Sequence, residues 1–254
     1  MGDTSSPVLP CPVRISLVIP AYNEEKYIVP TLESVTAAKG KFERATGERV
    51  EVIVVDNAST DRTAELARGY GCEVVGFERH QIAAVRNAGA RAARGEYIAF
   101  VDADRSIVPE DLFLEIAGNL GDANVYGGGS GFRPEAWNIR IWLLVMFFRA
   151  TSWLLGVGCV LYYMRRSDFE ALGGWNERMY AAEDVELSFR MKRAARRSGR
   201  RLRHLRGKTS VCVRKIHMLP PLRTLWRSLR ALIRWDFSNP DDFHSIFYDV
   251  DKLR

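Results

Sequence analysis

The segment QIAAVRNAGARAARGEYIAFVDADR, residues 81–105, decides the fold. Its first half is rich in Ala and Arg, both good helix formers, and Gly95 closes it, so a helix is expected over residues 81–94. Tyr97–Val101 is aromatic, apolar and partly β-branched, the composition of a buried strand, and it runs straight into Asp102, Ala103 and Asp104. Upstream the same order repeats. Residues 14–20 (RISLVIP) and 50–55 (VEVIVV) read as buried strands, and Glu73–Gly76 as a third, short one. After the first strand, Asn23 is expected to cap a helix with Glu24 and Glu25 in its first turn. Ile28, Leu32 and Val35 then recur at helical spacing, and Pro30 predicts a kink or a late start. The polar turn 56–61 leads to a helix capped by Thr60 or Asp61. Strands and helices alternating at this spacing predict a Rossmann-like, mostly parallel α/β sheet flanked by helices. Ligands of such sheets bind at the carboxyl ends of the strands. PAYNEE (20–25), DNASTD (56–61) and DADR (102–105) all fall at those ends.

The 254 residues and 47% hydrophobic content fit a single large domain with an ample core and argue against disorder. Residues 1–12 hold three prolines and lack a basic start followed by an apolar run, so they are expected to be a flexible leader and not a signal peptide. Cys11, Cys72, Cys159 and Cys212 lie far apart with no CxxC pair, which suits thiols in a reducing compartment and a cytoplasmic chain. The net charge of +6 is unevenly spread: sixteen Lys and Arg and no acid occur between positions 187 and 235. Such a block suits an anionic partner such as phosphate or a phospholipid surface, although a solvated helix face would look the same. No nucleic-acid-binding motif accompanies it, so no nucleic-acid partner is expected.

Residues 141–164 carry one charge, Arg149, and are long enough to cross a bilayer. A span would separate Asp102 and Asp104 from the acids at 183 and 184, and Arg149 near its middle would cost about 3 kcal/mol. The expected reading is a helix to about Trp153, a turn at Gly156 and Gly158, and a strand ending at Met164. Residues 127–131 (GGGSG) have no following lysine and are not a phosphate loop, and no GxGxxG follows a strand.

Asp102 and Asp104 flank one alanine at a strand end, where alternate residues would point to one face and could share a cation. Mg²⁺ and Mn²⁺ favour such oxygen ligands and neutralise diphosphate. Glu183 and Asp184 open a helical stretch, EDVELSFRMKRA, where acids are good dipole partners or, functionally, a general base for a hydroxyl.

Taken in order, IPAYNEE (19–25), VVDNASTD (54–61), residues 83–105, GGWNE (173–177) and AEDVELSFR (182–190) resemble family 2 glycosyltransferases of the GT-A fold, over about residues 14–215. The resemblance implies a GT-A domain over residues 13–220, with a nucleotide-binding half (13–125) and an acceptor half (126–220). It implies that Pro20, Ala21, Tyr22 and Glu24 frame the nucleotide, that Asp56 contacts the base and that Arg86 lies near the nucleotide. Asp102 and Ala103 would sit by ribose and diphosphate, and Asp104, with Asp102, would hold Mn²⁺ or Mg²⁺. Gly156 and Gly158 match a turn beside the donor sugar. Asp184 matches the catalytic base, with Glu183 in support. Related folds often add a late histidine to the metal, and His217 is the best placed here.

Asn57 stands where many relatives have a second acid, and ALIRW (231–235) resembles the QxxRW of processive synthases without its glutamine. The implied reaction is inverting transfer of a sugar from a UDP- or GDP-sugar to an acceptor glycan or lipid-linked acceptor. The alternative is a lapsed nucleotide-sugar-binding or membrane-surface module. Residues 221–254 are expected to form a basic amphipathic helix and tail. That helix either rests on the inner face of a membrane as a peripheral contact or docks on the domain.

Overall fold

Strand β1 (Val13–Ala21) serves two cores at once, because successive side chains of a strand leave on opposite faces. Ile15, Leu17 and Ile19 enter one core, and Val18 enters the other. The computed structural model describes residues 12–135, 137–139, 141–142, 146 and 160–211. After β1 come α1 (Ile28–Thr46), β2 (Arg49–Asp56), α2 (Thr63–Gly69), β3 (Glu73–Gly76), α3 (Ile82–Ala92) and β4 (Tyr97–Val101). Then follow α4 (Leu112–Gly121), β5 (Val125–Ser130), β6 (Phe132–Pro134), β7 (Leu161–Arg165), α5 (Arg166–Ala171), α6 (Glu183–Arg197), β8 (Arg201–Leu202) and β9 (Thr209–Val211).

Seven strands make one sheet in the order β3-β2-β1-β4-β7-β5-β8, and β6 and β9 make a small parallel pair. The pairs β1–β2, β1–β4, β2–β3 and β5–β8 are parallel, while β7 runs antiparallel to β4 and β5. The sheet is thus mostly parallel, as expected. Alternation persists strand by strand. Val52 and Val54 of β2, Ala99 and Val101 of β4, and Leu161 and Tyr163 of β7 share a core with Leu32, Val35, Phe42, Phe113 and Ile116 of α1 and α4. Ile53, Val55, Ile98, Phe100, Tyr162 and Met164 face the other way and pack with Val85, Ala88, Leu187 and Met191 of α3 and α6. Helix α3 lies close on the sheet because Gly89 has no side chain: a Cβ there would stand 2.4 Å from Val18 Cγ1 and 2.7 Å from Val55 Cγ2.

Three expectations are corrected. Asn23 does not cap α1. It adopts a left-handed φ of 51° in the preceding loop, and α1 begins at Ile28, so Pro30 falls in the first turn, where an N–H has no intrahelical acceptor in any case. Neither Thr60 nor Asp61 is the residue before α2, which is Arg62, although Asp61 Oδ1 accepts the Thr63 N–H at 2.9 Å. Asp102 and Asp104 are not on the strand. β4 ends at Val101 and the acids lie in the turn beyond it, so strand alternation is not what aligns them. Gly127, Gly128 and Gly129 make up half of β5 and Gly131 follows it, so the glycine run is a strand and not a phosphate loop. Among the described residues no helix is long and apolar enough to cross a membrane, and the strand expected to end near Met164 is β7. The expected helix and glycine turn before it fall almost wholly outside the described residues.

Candidate active site

The sheet order turns back at β1. The chain builds outward through β2 and β3, then returns to lay β4 on the other side of β1. Loops leaving β1 and β4 diverge there and leave a crevice at the strand ends. A cleft of about 290 Å³ occupies that place. Pro20, Ala21, Tyr22 and Glu24 line it from the end of β1 and the loop beyond, Phe100, Asp102, Ala103 and Asp104 from β4 and the turn that follows it, Ile82, Val85 and Arg86 from α3, and Ala182, Glu183 and Asp184 from the start of α6. Residues from four elements, singled out separately along the sequence, therefore meet in one cavity. Asp56 is not among the lining residues, while its neighbour Asn57 is. Gly156, Gly158 and His217 lie outside the described residues.

The two polar loops after β1 and β2 hold each other. Asn23 Oδ1 accepts the Thr60 N–H at 2.8 Å, and the Asn23 N–H donates to Ser59 Oγ at 3.0 Å. The Glu25 N–H donates to Asp61 Oδ2, and the Arg62 N–H donates to Glu25, both at 3.1 Å. Much of the polarity of PAYNEE and DNASTD is therefore spent on building the wall, and Glu24 is buried in it. Asn57 has a physical reason for being an amide. Its side-chain NH₂ donates to the Phe77 and Arg79 carbonyls at 2.8 and 3.0 Å, and its oxygen faces His80 Nδ1 at 3.3 Å. A carboxylate could donate to neither carbonyl. The His80 ring in turn meets Tyr22 edge-on, with centroids 4.8 Å apart.

At the floor, Arg86 is nearly buried and forked: Nη1 donates to Glu183 Oε1 at 2.9 Å and Nη2 to Asp102 Oδ1 at 2.8 Å. Its guanidinium lies over the Trp175 ring at 4.5 Å. Burial works against its charge, but Asp102 and Glu183 outweigh that and hold its pKa above the ordinary arginine value. Trp175 is fixed in turn. Its backbone N–H donates to Asn87 Oδ1 at 2.8 Å, and Asn87 Nδ2 donates back to the Trp175 carbonyl at 2.9 Å and to Glu177 Oε1 at 3.0 Å. Gly174, with φ of 73°, leads into it, and a Cβ there would come within 2.7 Å of Asn87 Oδ1.

Asp184 is half-buried, and loss of water around its carboxylate, with Glu183 beside it, pushes its pKa up to about 6. The Val185 N–H at 2.7 Å and Arg86 act in the opposite sense. Tyr162 Oη donates to the Asp184 carbonyl at 3.1 Å and ties the first turn of α6 to β7. Sequence reasoning gave no role to Tyr162, Asn87 or Trp175. The tryptophan set between Gly-Gly and Asn-Glu was the signal for the last of these.

Among the described residues no three His, Cys, Asp or Glu gather as a metal cage. A nucleotide-bound Mg²⁺ needs less, since it commonly takes one or two carboxylates and completes its shell with phosphate oxygens and water. Asp104 and Asp102, with only Ala103 between them in a turn at the cleft, fit that partial donor set.

The model of glycosyl transferase family 2 matches residues 16–168, from β1 into α5 and more than half of the chain. The chain belongs to glycosyl transferase family 2. Among its family 2 relatives is undecaprenyl-phosphate 4-deoxy-4-formamido-L-arabinose transferase of Pseudomonas paraeruginosa, 34% identical over 178 residues, which are 65% of this chain and 50% of that protein. The matched stretch spans half or less of the length of that and other curated relatives. Two solved structures share the fold. The mannosyltransferase PcManGT of Pyrobaculum calidifontis, in complex with GDP-Man and Mn²⁺, has a TM-score of 0.62 at 22% identity and covers 96% of this chain and 70% of its own. Staphylococcus aureus TarS residues 1–349 with UDP has a TM-score of 0.60 at 19% identity, covering 79% and 61%. The GT-A architecture expected from the motifs is therefore the architecture of this chain.

Proposed function

We propose that this family 2 chain is an inverting, metal-dependent glycosyltransferase that moves a sugar from a nucleotide diphosphate donor to an acceptor hydroxyl or lipid phosphate. The observation that carries the reading is one cleft holding both halves of the chemistry. The turn at 102–104 offers carboxylates for a diphosphate-bound cation, and α6 offers Asp184 with its pKa pushed up to about 6. A general base works best when its pKa lies near the operating pH.

In the proposed reaction residues 13–125 bind the donor and residues 126–220 face the acceptor. Pro20, Ala21, Tyr22 and Glu24 frame the nucleotide, with Asp56 beside the base, and the family resemblance assigns Gly156 and Gly158, outside the described residues, to the donor sugar. A divalent cation held by Asp104 and Asp102 would offset the charge gathering on the departing diphosphate. The acceptor oxygen attacks the anomeric carbon as the bond from that carbon to the diphosphate oxygen breaks. Where the acceptor is a hydroxyl, Asp184 takes its proton. A single displacement inverts the carbon. The Pseudomonas relative, named for undecaprenyl phosphate, supports a polyprenyl-linked acceptor and hence a site of action at the inner face of a membrane.

The test is a thermal-shift panel of UDP-, GDP- and dTDP-sugars with and without Mn²⁺. A ligand that binds only the folded state stabilises it by mass action, so one donor should raise the melting temperature, and more so with Mn²⁺. No stabilisation by any donor, together with no release of nucleoside diphosphate, would sink the proposal.

A further inference from the structure

We infer that Arg86 is a positioning residue, a strut that ties the donor-side turn to the helix bearing the base and so fixes Asp184. The inference rests on the transferase reading and names what holds its two halves in register.

Arg86 is the buried centre of a charge network that spans two elements. One guanidinium, with only 10% of its side chain exposed, bonds Asp102 beyond β4 and Glu183 at the first position of α6. The two bonds leave different nitrogens, so the fork is used at both ends. An ammonium, a point charge on a flexible stem, cannot hold two carboxylates in that fixed geometry. The guanidinium lies over the buried Trp175 ring, whose backbone N–H and carbonyl are both held by the Asn87 side chain. Helix α6 is further pinned by Tyr162, whose hydroxyl meets the Asp184 carbonyl and Ser188 Oγ, each at 3.1 Å. Asp184 thus has Glu183 immediately before it on Arg86 and its own carbonyl on Tyr162.

A network selected for stability would not look like this. Asp102, Glu183 and Asp184 gather around one cation, so the cluster carries excess negative charge. Its one buried pair, Arg86 with Glu183, would gain little over apolar packing even if it were balanced. The entry to α6 is also strained, since Ala182 has φ of 56°. Unbalanced charge and strain meeting at one helix start point to geometry held for chemistry. Glu183 then acts through Arg86, and its own part is positioning.

The test is a double-mutant cycle on the full chain, reading kcat from nucleoside diphosphate release and affinity from titration with UDP or GDP in Mn²⁺. Arg86→Lys keeps the charge without the fork, and Glu183→Gln keeps the shape without the charge. Each is expected to lower kcat by about 10²-fold, the scale of a misplacement near 1 Å, with nucleotide affinity little changed. The double variant is expected to lose no more than either single one, since both break one strut. Losses that multiply in the double variant would overturn the inference. So would weakened nucleotide binding with normal kcat at saturating donor, which would make Arg86 a donor contact. If Arg86→Lys does not fold, Glu183→Gln decides alone: lowered kcat at unchanged affinity supports the strut, and unchanged kcat overturns it. A wild type that neither binds nor turns over any donor removes the transferase reading, and this inference with it.

Discussion

Asp184 holds its proton more tightly than an exposed aspartate because burial strips water from its carboxylate and Glu183 adds a like charge. Two consequences follow, and their signs differ. As a base, Asp184 works only when ionised, so kcat/KM is expected to fall as pH drops through about 6 and to be flat above it. For stability, a carboxyl whose folded pKa exceeds its unfolded value binds protons preferentially in the folded state. Its contribution is favourable at low pH and is lost as pH rises from about 4, the unfolded value, towards 6. Asp184→Asn should therefore cut transfer to a hydroxyl by about 10²–10⁴-fold. The same change should raise the melting temperature at pH 7.5 by a few degrees, a gain that disappears near pH 4. Donor affinity should survive. Collapse of donor binding with normal turnover of bound donor would overturn the assignment, as would a melting temperature that falls. Asp104→Asn makes the complementary case. Folding should be unaffected at this half-exposed turn position, while the Mn²⁺ titration of activity should move to higher concentration with a lower plateau. Turnover equal to wild type across that titration would remove Asp104 as the principal ligand.

Elements were legible in the sequence where one physical signal sufficed. β3 and β4 match the expected runs residue for residue, and β1 and β2 to within a residue at each end. The reason is that the central strands β1, β2 and β4 are buried on both faces and so are largely apolar, while β3 is a short, partly exposed edge strand marked by its two valines. The site's location followed, since the polar clusters mark the strand ends. Its inner construction was hidden. Asn23, Ala58, Arg105 and Ala182 have φ of 51°, 57°, 59° and 56°, and each sits next to a cleft residue, namely Glu24, Asn57, Asp104 and Glu183. Left-handed backbone costs a non-glycine residue about 1–2 kcal/mol, a price that contacts between loops repay and that no local preference announces. Arg86 with Glu183, and Asn87 with Trp175, join positions some ninety residues apart, which periodicity cannot see. Gly174 concentrates this dependence in one residue. Gly174→Ala would strain a φ of 73° and press a methyl against Asn87 Oδ1. The expected cost is about 1–3 kcal/mol in urea unfolding, and the displaced Trp175 should lower kcat as well. Unchanged stability would show that the 173–177 turn does not need its glycine.

At the scale of the whole molecule, charge is the feature that the fold does not explain. A net charge of +6 conceals sixteen Lys and Arg and no acid between positions 187 and 235. Part of that block is visible as exposed Arg193, Arg196, Arg197, Arg201, Arg203, Arg206 and Lys208 around the end of α6 and β8. Its continuation, positions 222–235, lies outside the described residues, and the sequence pattern alone speaks for it. Leu222, Leu225, Trp226, Leu229, Leu232 and Ile233 fall on one side of a helix, and Arg223, Arg227, Arg230 and Arg234 on another. An apolar stripe with Trp beside an acid-free basic stripe is the composition of an interfacial helix, and each surface-near Arg is worth about 1 kcal/mol on anionic lipid. A polyprenyl-linked acceptor would make the same demand, since its sugar-accepting end stays at the membrane surface. The competing arrangement docks the apolar stripe on the domain and leaves the arginines solvated. Co-sedimentation with phosphatidylglycerol vesicles separates the two. Membrane contact predicts binding at low salt that weakens with NaCl and falls sharply when the four tail arginines are changed to glutamine. Binding that survives that change but is lost on replacing Arg201, Arg203 and Arg206 would move the contact to the β8 edge. Equal recovery of wild type and the tail variant in the supernatant would leave only the docked helix, and the acceptor would then have to reach the cleft without help from the bilayer.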